Sequence, residues 1–204
     1  MHDQTPCIDF GELESVYAPL AESLRRLIDI SIRTEAGAAA VAAATSKIDS
    51  AAAELSGALK PGPFGVHRNP DGQTIAWGNA VVGLRNPIAP PLVIHHEPDG
   101  VVWSEFVLGA AYEGPPDTVH GGVCALVLDH VLGATAHQPD KPAFTGTLTL
   151  RYRRPTALGR PLRAQAHVER VEGVKTFAVG HLADEHGVTV EAEGIFIHPR
   201  PAAE

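Results

Sequence analysis

The chain has 204 residues, enough for one ordinary domain with an extension but short for two full domains. Acidic side chains outnumber Lys and Arg by 24 to 16, and the resulting formal charge of −8 argues against a protein that coats nucleic acid. Two cysteines, Cys7 and Cys124, are too few for a disulfide framework, no apolar run is long enough to span a bilayer, and the start lacks a basic segment followed by an apolar one. The expectation is a soluble cytoplasmic protein with no membrane insertion and no nucleic-acid partner.

In chain order, Leu13, Val16, Leu20, Leu24, Leu27 and Ile28 recur at helical spacing, and Thr34 to Gly37 break the pattern. Val41, Ile48, Ala52 and Leu55 then predict a weaker second amphipathic helix. Lys60-Pro61-Gly62-Pro63-Phe64-Gly65 and Asn69-Pro70-Asp71-Gly72 mark a linker or capping loop. Beyond it Ala80 to Leu84 and Leu92 to His96 are short β-prone runs, and Pro98-Asp99-Gly100 is a turn before a strand over 101–108. Gly114-Pro115-Pro116-Asp117 closes that strand. The expected layout is a helical extension over 1–60, a linker over 61–77, the main domain over 78–198 and a tail over 199–204.

The next segment, Val119 to Ala136, is apolar almost all round and predicts a buried helix. It nevertheless carries Asp129, and a carboxylate in such a helix is costly unless it is paired, hydrated or functional. Gly122, Ala125, Gly133 and Ala136 share its helical face, which leaves room for a close approach, while Val123, Leu126, Val127 and Val131 are expected to pack on a sheet. Cys124 reads as a small core residue. Paired glycines, Gly121 and Gly122, stand at the helix start, where free N–H groups can polarise a carbonyl. Nine helical positions separate His120 from Asp129, roughly 13 Å along the axis, so a carboxylate acting on that carbonyl has to come from another copy of the helix. The spacing hints at composite sites in a homo-oligomer.

After the helix, Phe144, Gly146, Leu148, Leu150 and Tyr152 alternate with Thr145, Thr147, Thr149, Arg151 and Arg153, the pattern of a strand with one buried face. Leu162 to Val171, Val174 to Ala183 and Val188 to His198 follow as strands, with hairpin turns at Glu172-Gly173 and His186-Gly187. Consecutive hairpins build antiparallel pairs, and the apolar helix needs cover. The fold class is therefore α+β, an antiparallel sheet wrapped around a central helix, with an N-terminal helical extension.

Val119-His120-Gly121-Gly122 with Asp129 nine positions after His120 resembles the hotdog-fold acyl-CoA thioesterases, in the branch of the phenylacetate-pathway (PaaI-like) enzymes. The run Phe144 to Pro155, the turn Leu158-Gly159 and the hairpin Val171 to Phe177 resemble successive parts of that family, so the likeness covers about residues 78 to 198. It implies hydrolysis of an acyl-CoA to a carboxylic acid and coenzyme A, by a homodimer or homotetramer, with no cofactor because coenzyme A is part of the substrate. Asp129 is implied as general base or nucleophile, His120 and Gly121 as the oxyanion hole, and Thr145 as an assistant near the carboxylate. Gly122, Gly173, Lys175 and Thr176 are implied as substrate-binding, Lys175 together with Arg151, Arg153 and Arg154 toward coenzyme A phosphates.

Plainer readings stand beside these. Asp129 can be a structural carboxylate, His120 and Gly121 a tight helix entry, Thr145 the first of a stripe of strand threonines, and the arginines a solvated strand face. Trp77, Trp103, Phe106 and Phe144 either line a pocket or fill the core. Relatives often carry an asparagine shortly before His-Gly-Gly, where this chain has Tyr112 to Thr118 with Glu113 and Asp117. Eleven histidines are scattered without zinc-site spacing, so no metal is expected. Two other functions compete: a non-catalytic acyl-CoA-binding regulatory module, and a hydratase or dehydratase of enoyl or hydroxyacyl thioesters.

Overall fold

The computed structural model describes residues 10–68, 74–137 and 142–199. The chain divides into two compact units, one ending at Ile88 and one beginning at Ala89. Cys7 and the Asn69-Pro70-Asp71-Gly72 turn lie outside the described residues. No helix among the described residues is long and apolar enough to cross a membrane.

The first unit holds α1 (Phe10–Arg33), α2 (Ala38–Ser56) and a short antiparallel pair, β1 (His67–Arg68) with β2 (Thr74–Ile75). The break between the helices falls over 34–37, as the spacing predicts. Phe10 and Ala21 are buried on α1, and Phe10 and Phe64 pack their rings against buried Trp77 at 6.3 and 5.9 Å between centroids. Trp77 thus fills a small core rather than lining a pocket. The β-prone run Ala80 to Leu84 forms turns, not a strand. The cause is local: the Asn79 carboxamide oxygen accepts from the N–H groups of Val81 and Val82, offering the backbone a turn in place of a ladder.

The second unit is a six-stranded antiparallel sheet in the order β3-β4-β6-β7-β8-β5, wrapped on one side by α3. Its elements are β3 (His95–His96), β4 (Val102–Val107), a 3-10 turn (Ala110–Tyr112), α3 (Gly121–Ala136), β5 (Phe144–Tyr152), β6 (Pro161–Glu172), β7 (Lys175–Asp184) and β8 (Gly187–Ile197). This is the expected antiparallel sheet around a central helix. Of the expected run Leu92 to His96 only β3 pairs, after Pro90-Pro91. Gly173 at φ 60° and Gly187 at φ 106° occupy the hairpin turns, a conformation that favours glycine.

Small residues let α3 sit close to the sheet. Ala164, Ala166, Ala178 and Ala192 are buried on the helix-facing side, and Cys124, Val127, Leu128, Val131, Leu132 and Ala136 pack down from α3. The small stripe is partly explained here, because a Cβ on Gly133 would stand 3.3 Å from the Phe196 ring. Two expectations for α3 need correcting. The helix is not covered all round, and Leu126 is exposed instead of packing on the sheet. One helix against one sheet in a single chain leaves the face of Gly122, Leu126 and Asp129 uncovered.

A similar correction applies to β5. It lies at the end of the sheet, bonded only to β8, and Phe144 and Tyr152 remain 61% and 54% exposed. Leu148, Leu150 and Tyr152 lie on the side that faces α3 and are only partly covered in one chain, whereas Phe144 lies on the opposite side.

Candidate active site

Asp129 stands half-buried on the uncovered side of α3, and the Thr145 hydroxyl donates to its Oδ1 at 2.8 Å. That contact depends on a bulge. In the β5–β8 ladder Thr145 pairs with Phe196 and Thr147 with Ile195, so Gly146 is inserted without a partner. An extra residue breaks the two-residue alternation and re-aims the side chain before it. Thr145 therefore shares the helix-facing side with buried Phe196, whereas Thr147 and Thr149 sit opposite Ile195 and Glu193 on the other side. It is not the first member of the threonine stripe that the alternation suggests.

The helix start is ordered by three contacts. His120 is the N-cap residue, and its Nδ1 accepts from Gly122 N–H at 3.0 Å. In a neutral ring the proton then sits on Nε2, which is left to face solvent. The N–H of His120 donates to Tyr112 O at 2.9 Å. Gly121 N–H has no acceptor among the described residues. Of the donors expected at His120 and Gly121, the Gly121 amide is the one open to a ligand, and His120 acts through its ring as the cap.

Tyr152 completes this end, a role the sequence does not reveal. Its hydroxyl donates to Gly121 O at 2.8 Å, and its ring lies against the space a Gly121 side chain would fill. Burial pushes the Tyr152 hydroxyl pKa up, so it stays a phenol and a donor. Strand β5 consequently touches α3 twice, with Thr145 at Asp129 and Tyr152 at Gly121.

The surroundings disfavour other charges. Burial lowers the pKa of His130 despite its neighbour Asp129, leaving a neutral imidazole beside the carboxylate at pH 7. Burial raises the pKa of Cys124, whose thiol points to Thr156 Oγ1 at 3.8 Å; it is a core residue, not a nucleophile. Glu113 and Asp117 shape the loop before the helix: Glu113 Oε1 accepts from Asp117 N–H at 3.3 Å, and Asp117 adopts φ 61°.

The residues expected to meet coenzyme A are not brought together uniformly. Lys175 is exposed beside Gly173 in the β6–β7 turn. Thr176 is instead 4% exposed, its hydroxyl bonded to buried His198 at 3.1 Å, so its side chain is turned from any surface ligand. Register explains this, because Thr176 lies opposite Phe196 on the core side. Arg151, Arg153 and Arg154 pair with Glu193, Glu191 and Asp184. Trp103 lies on the side of the sheet away from α3, stacked on His95 at 4.1 Å, Phe106 is buried in the core and Phe144 is exposed. Among the described residues no group of three His, Cys, Asp or Glu side chains is placed to hold a metal.

The Thioesterase superfamily model matches residues 117–191, a span that contains His120, Asp129 and Thr145. A crystallised thioesterase superfamily protein, RHA08564, is 33% identical, with a TM-score of 0.80 over 89% of this chain and 90% of that one. The chain belongs to the thioesterase superfamily and has its hotdog fold. It is 34% identical over 94 residues to acyl-coenzyme A thioesterase THEM4 of Xenopus laevis, covering 45% of this chain and 42% of the relative. To acyl-coenzyme A thioesterase THEM5 of Homo sapiens it is 26% identical, covering 45% and 38%. It thus spans about two fifths of the length of these two relatives. The E. coli PaaI protein, at 15% identity and a TM-score of 0.50 over 53% of this chain and 80% of its own, shares the fold.

Proposed function

We propose that the protein hydrolyses an acyl-CoA thioester to a carboxylic acid and free coenzyme A. The observation that carries this reading is the carboxylate of Asp129, oriented by Thr145 on an uncovered helix face that begins at the open Gly121 amide. Gly121 N–H polarises the thioester oxygen and stabilises the tetrahedral oxyanion, a contribution of roughly 3 kcal/mol for one such donor. Asp129 takes a proton from water as it attacks the carbonyl carbon, or attacks that carbon itself to give an acyl-enzyme that water resolves. Either way the C–S bond breaks, and the leaving thiolate takes up a proton.

Eight helical positions separate Gly121 from Asp129, about 12 Å of axis, so the two groups that meet one thioester belong to two protomers. The unpaired edge of β5 supports such an assembly, since an exposed strand edge is a template for another chain. A second copy there also covers Tyr152 and the exposed side of α3. A cytoplasmic setting fits the acidic composition.

The test is release of free thiol from short, medium, long and aromatic acyl-CoAs by the wild type and by Asp129→Asn. Turnover by the wild type and its near-complete loss in a folded variant is the expected result. Full activity in Asp129→Asn would overturn the assignment, and no turnover alongside tight acyl-CoA binding would favour a non-catalytic binding module.

A further inference from the structure

We infer that α2 is an association helix that pairs antiparallel with α2 of a second copy of this chain. This is a contact separate from the β5 edge and independent of the hydrolytic reading. None of the 19 residues of α2 is buried, although nine of them are Ala and Val41, Ile48 and Leu55 add larger apolar side chains. A solitary helix of this length is marginal in water, because most helical stability in proteins comes from packing an apolar face. Its three large apolar residues remain 46%, 43% and 53% exposed.

Their spacing defines the seam. Val41, Ile48 and Leu55 recur every seven residues, and Ala44 and Ala51 fall three positions after the first two, which is an a/d pattern. The small residues at d leave room for the branched residues at a, so a helix of this kind is complementary to its own reverse. Antiparallel pairing about a two-fold axis sets Ile48 against Ala51 of the second copy and Leu55 against its Ala44, large on small in each layer.

Charge selects the same direction. Lys47 and Glu54 occupy equivalent flanking positions beside the seam, one residue before Ile48 and one before Leu55. Antiparallel pairing brings Lys47 of each copy beside Glu54 of the other, twice over. Parallel pairing in register sets Lys47 beside Ala52 and stacks Ala44 on Ala44, losing both the charge pairs and the large-on-small layers.

Site-directed crosslinking of the full chain reads this contact. With Cys7 replaced by Ser and Cys124 buried, Ala44→Cys and Leu55→Cys proteins are mixed and oxidised. The mixture is expected to shift to twice the monomer mass on a denaturing gel, while each protein alone does not. A Ser46→Cys control, on the opposite side of the helix, stays unlinked. Adding Ile48→Glu, which keeps a good helix former but places charge in the seam, abolishes the crosslink, and any loss of helical circular dichroism stays within the share of α2. Crosslinks in the single proteins instead of the mixture, or crosslinking that survives Ile48→Glu or matches the control, would overturn the proposal. Thiol release by the same proteins is read separately, so failure of the pairing is distinguishable from failure of the hydrolytic assignment.

Discussion

The hydroxyl of Thr145 reaches Asp129 Oδ1 at 2.8 Å because Gly146, the next residue, is left out of the β5–β8 register. A strand without that extra residue points Thr145 to the side of Thr147, away from α3. One lone pair of the carboxylate is then held by Thr145, and the orientation of the remaining oxygen is fixed for water or the thioester.

Removing that hydroxyl tests whether orientation matters. Hydrogen bonds to charged groups contribute about 1.5–3 kcal/mol, so Thr145→Val is expected to lower kcat by roughly one to two orders of magnitude. Thr145→Ser restores most of it. Equal kcat for the Val variant and the wild type in the thiol-release assay would relegate Thr145 to packing.

The bulge itself is tested at Gly146. A Cβ there would stand 2.9 Å from the Ile197 side chain and 3.3 Å from Ile195 O, so Gly146→Val forces β5 to shift. The variant is expected to lose as much kcat as Thr145→Val and to melt at a lower temperature, since overpacking costs about 1–3 kcal/mol. Combining the two substitutions adds little further loss of kcat, because both act through the same oxygen.

Tyr152 is expected to act on the other half of the site. Tyr152→Phe removes the bond to Gly121 O while keeping the ring, a change of about 1 kcal/mol, and kcat should fall severalfold with KM nearly unchanged. A change confined to KM would place Tyr152 in substrate contact rather than in fixing the Gly121 peptide.

Much of the architecture is legible from periodicity. Strands β6, β7 and β8 alternate over most of their length because one side meets α3 and the other does not, with register shifts near Arg170 and Ala183, and the helix break over 34–37 shows where the apolar spacing lapses. The site is half legible. His120, Gly121 and Asp129 stand out through spacing, but the use of the His120 amide by Tyr112 and of the Gly121 carbonyl by Tyr152 joins residues distant in sequence. Nothing local announces those bonds. The β5 pattern misleads twice: Leu148, Leu150 and Tyr152 face α3 but are only partly covered in a single chain, and Gly146 shifts Thr145 to the helix side and Phe144 away from it. A glycine within an alternating strand was the available signal of that bulge. Ala80 to Leu84 misread as a strand because its β-prone residues are overruled by the Asn79 side chain.

Arg154 Nη1 donates to Asp184 Oδ2 at 2.8 Å, its Nη2 bonds Oδ1, and His186 N–H adds a further donor at 2.7 Å. These donors, the Arg154 guanidinium first, lower the Asp184 pKa to about 2, and the carboxylate side chain is only 5% exposed. A folded pKa below the unfolded one means that the unfolded chain binds the proton more readily. The stabilisation is therefore complete above the ordinary carboxylate pKa near 4 and disappears as pH falls through about 2. Asp184→Asn is expected to cost about 2 kcal/mol at neutral pH, where the wild-type carboxylate is charged. The gap between the two proteins in urea unfolding should hold from pH 7 to pH 5 and narrow from pH 4 downward. Because the bonded pair pins the β7–β8 turn to the end of β5, through Arg154 and Gly187 O as well, Arg154→Met should reproduce the loss. A gap independent of pH down to pH 3 would show that Asp184 contributes through shape and neutral hydrogen bonds rather than through its charge.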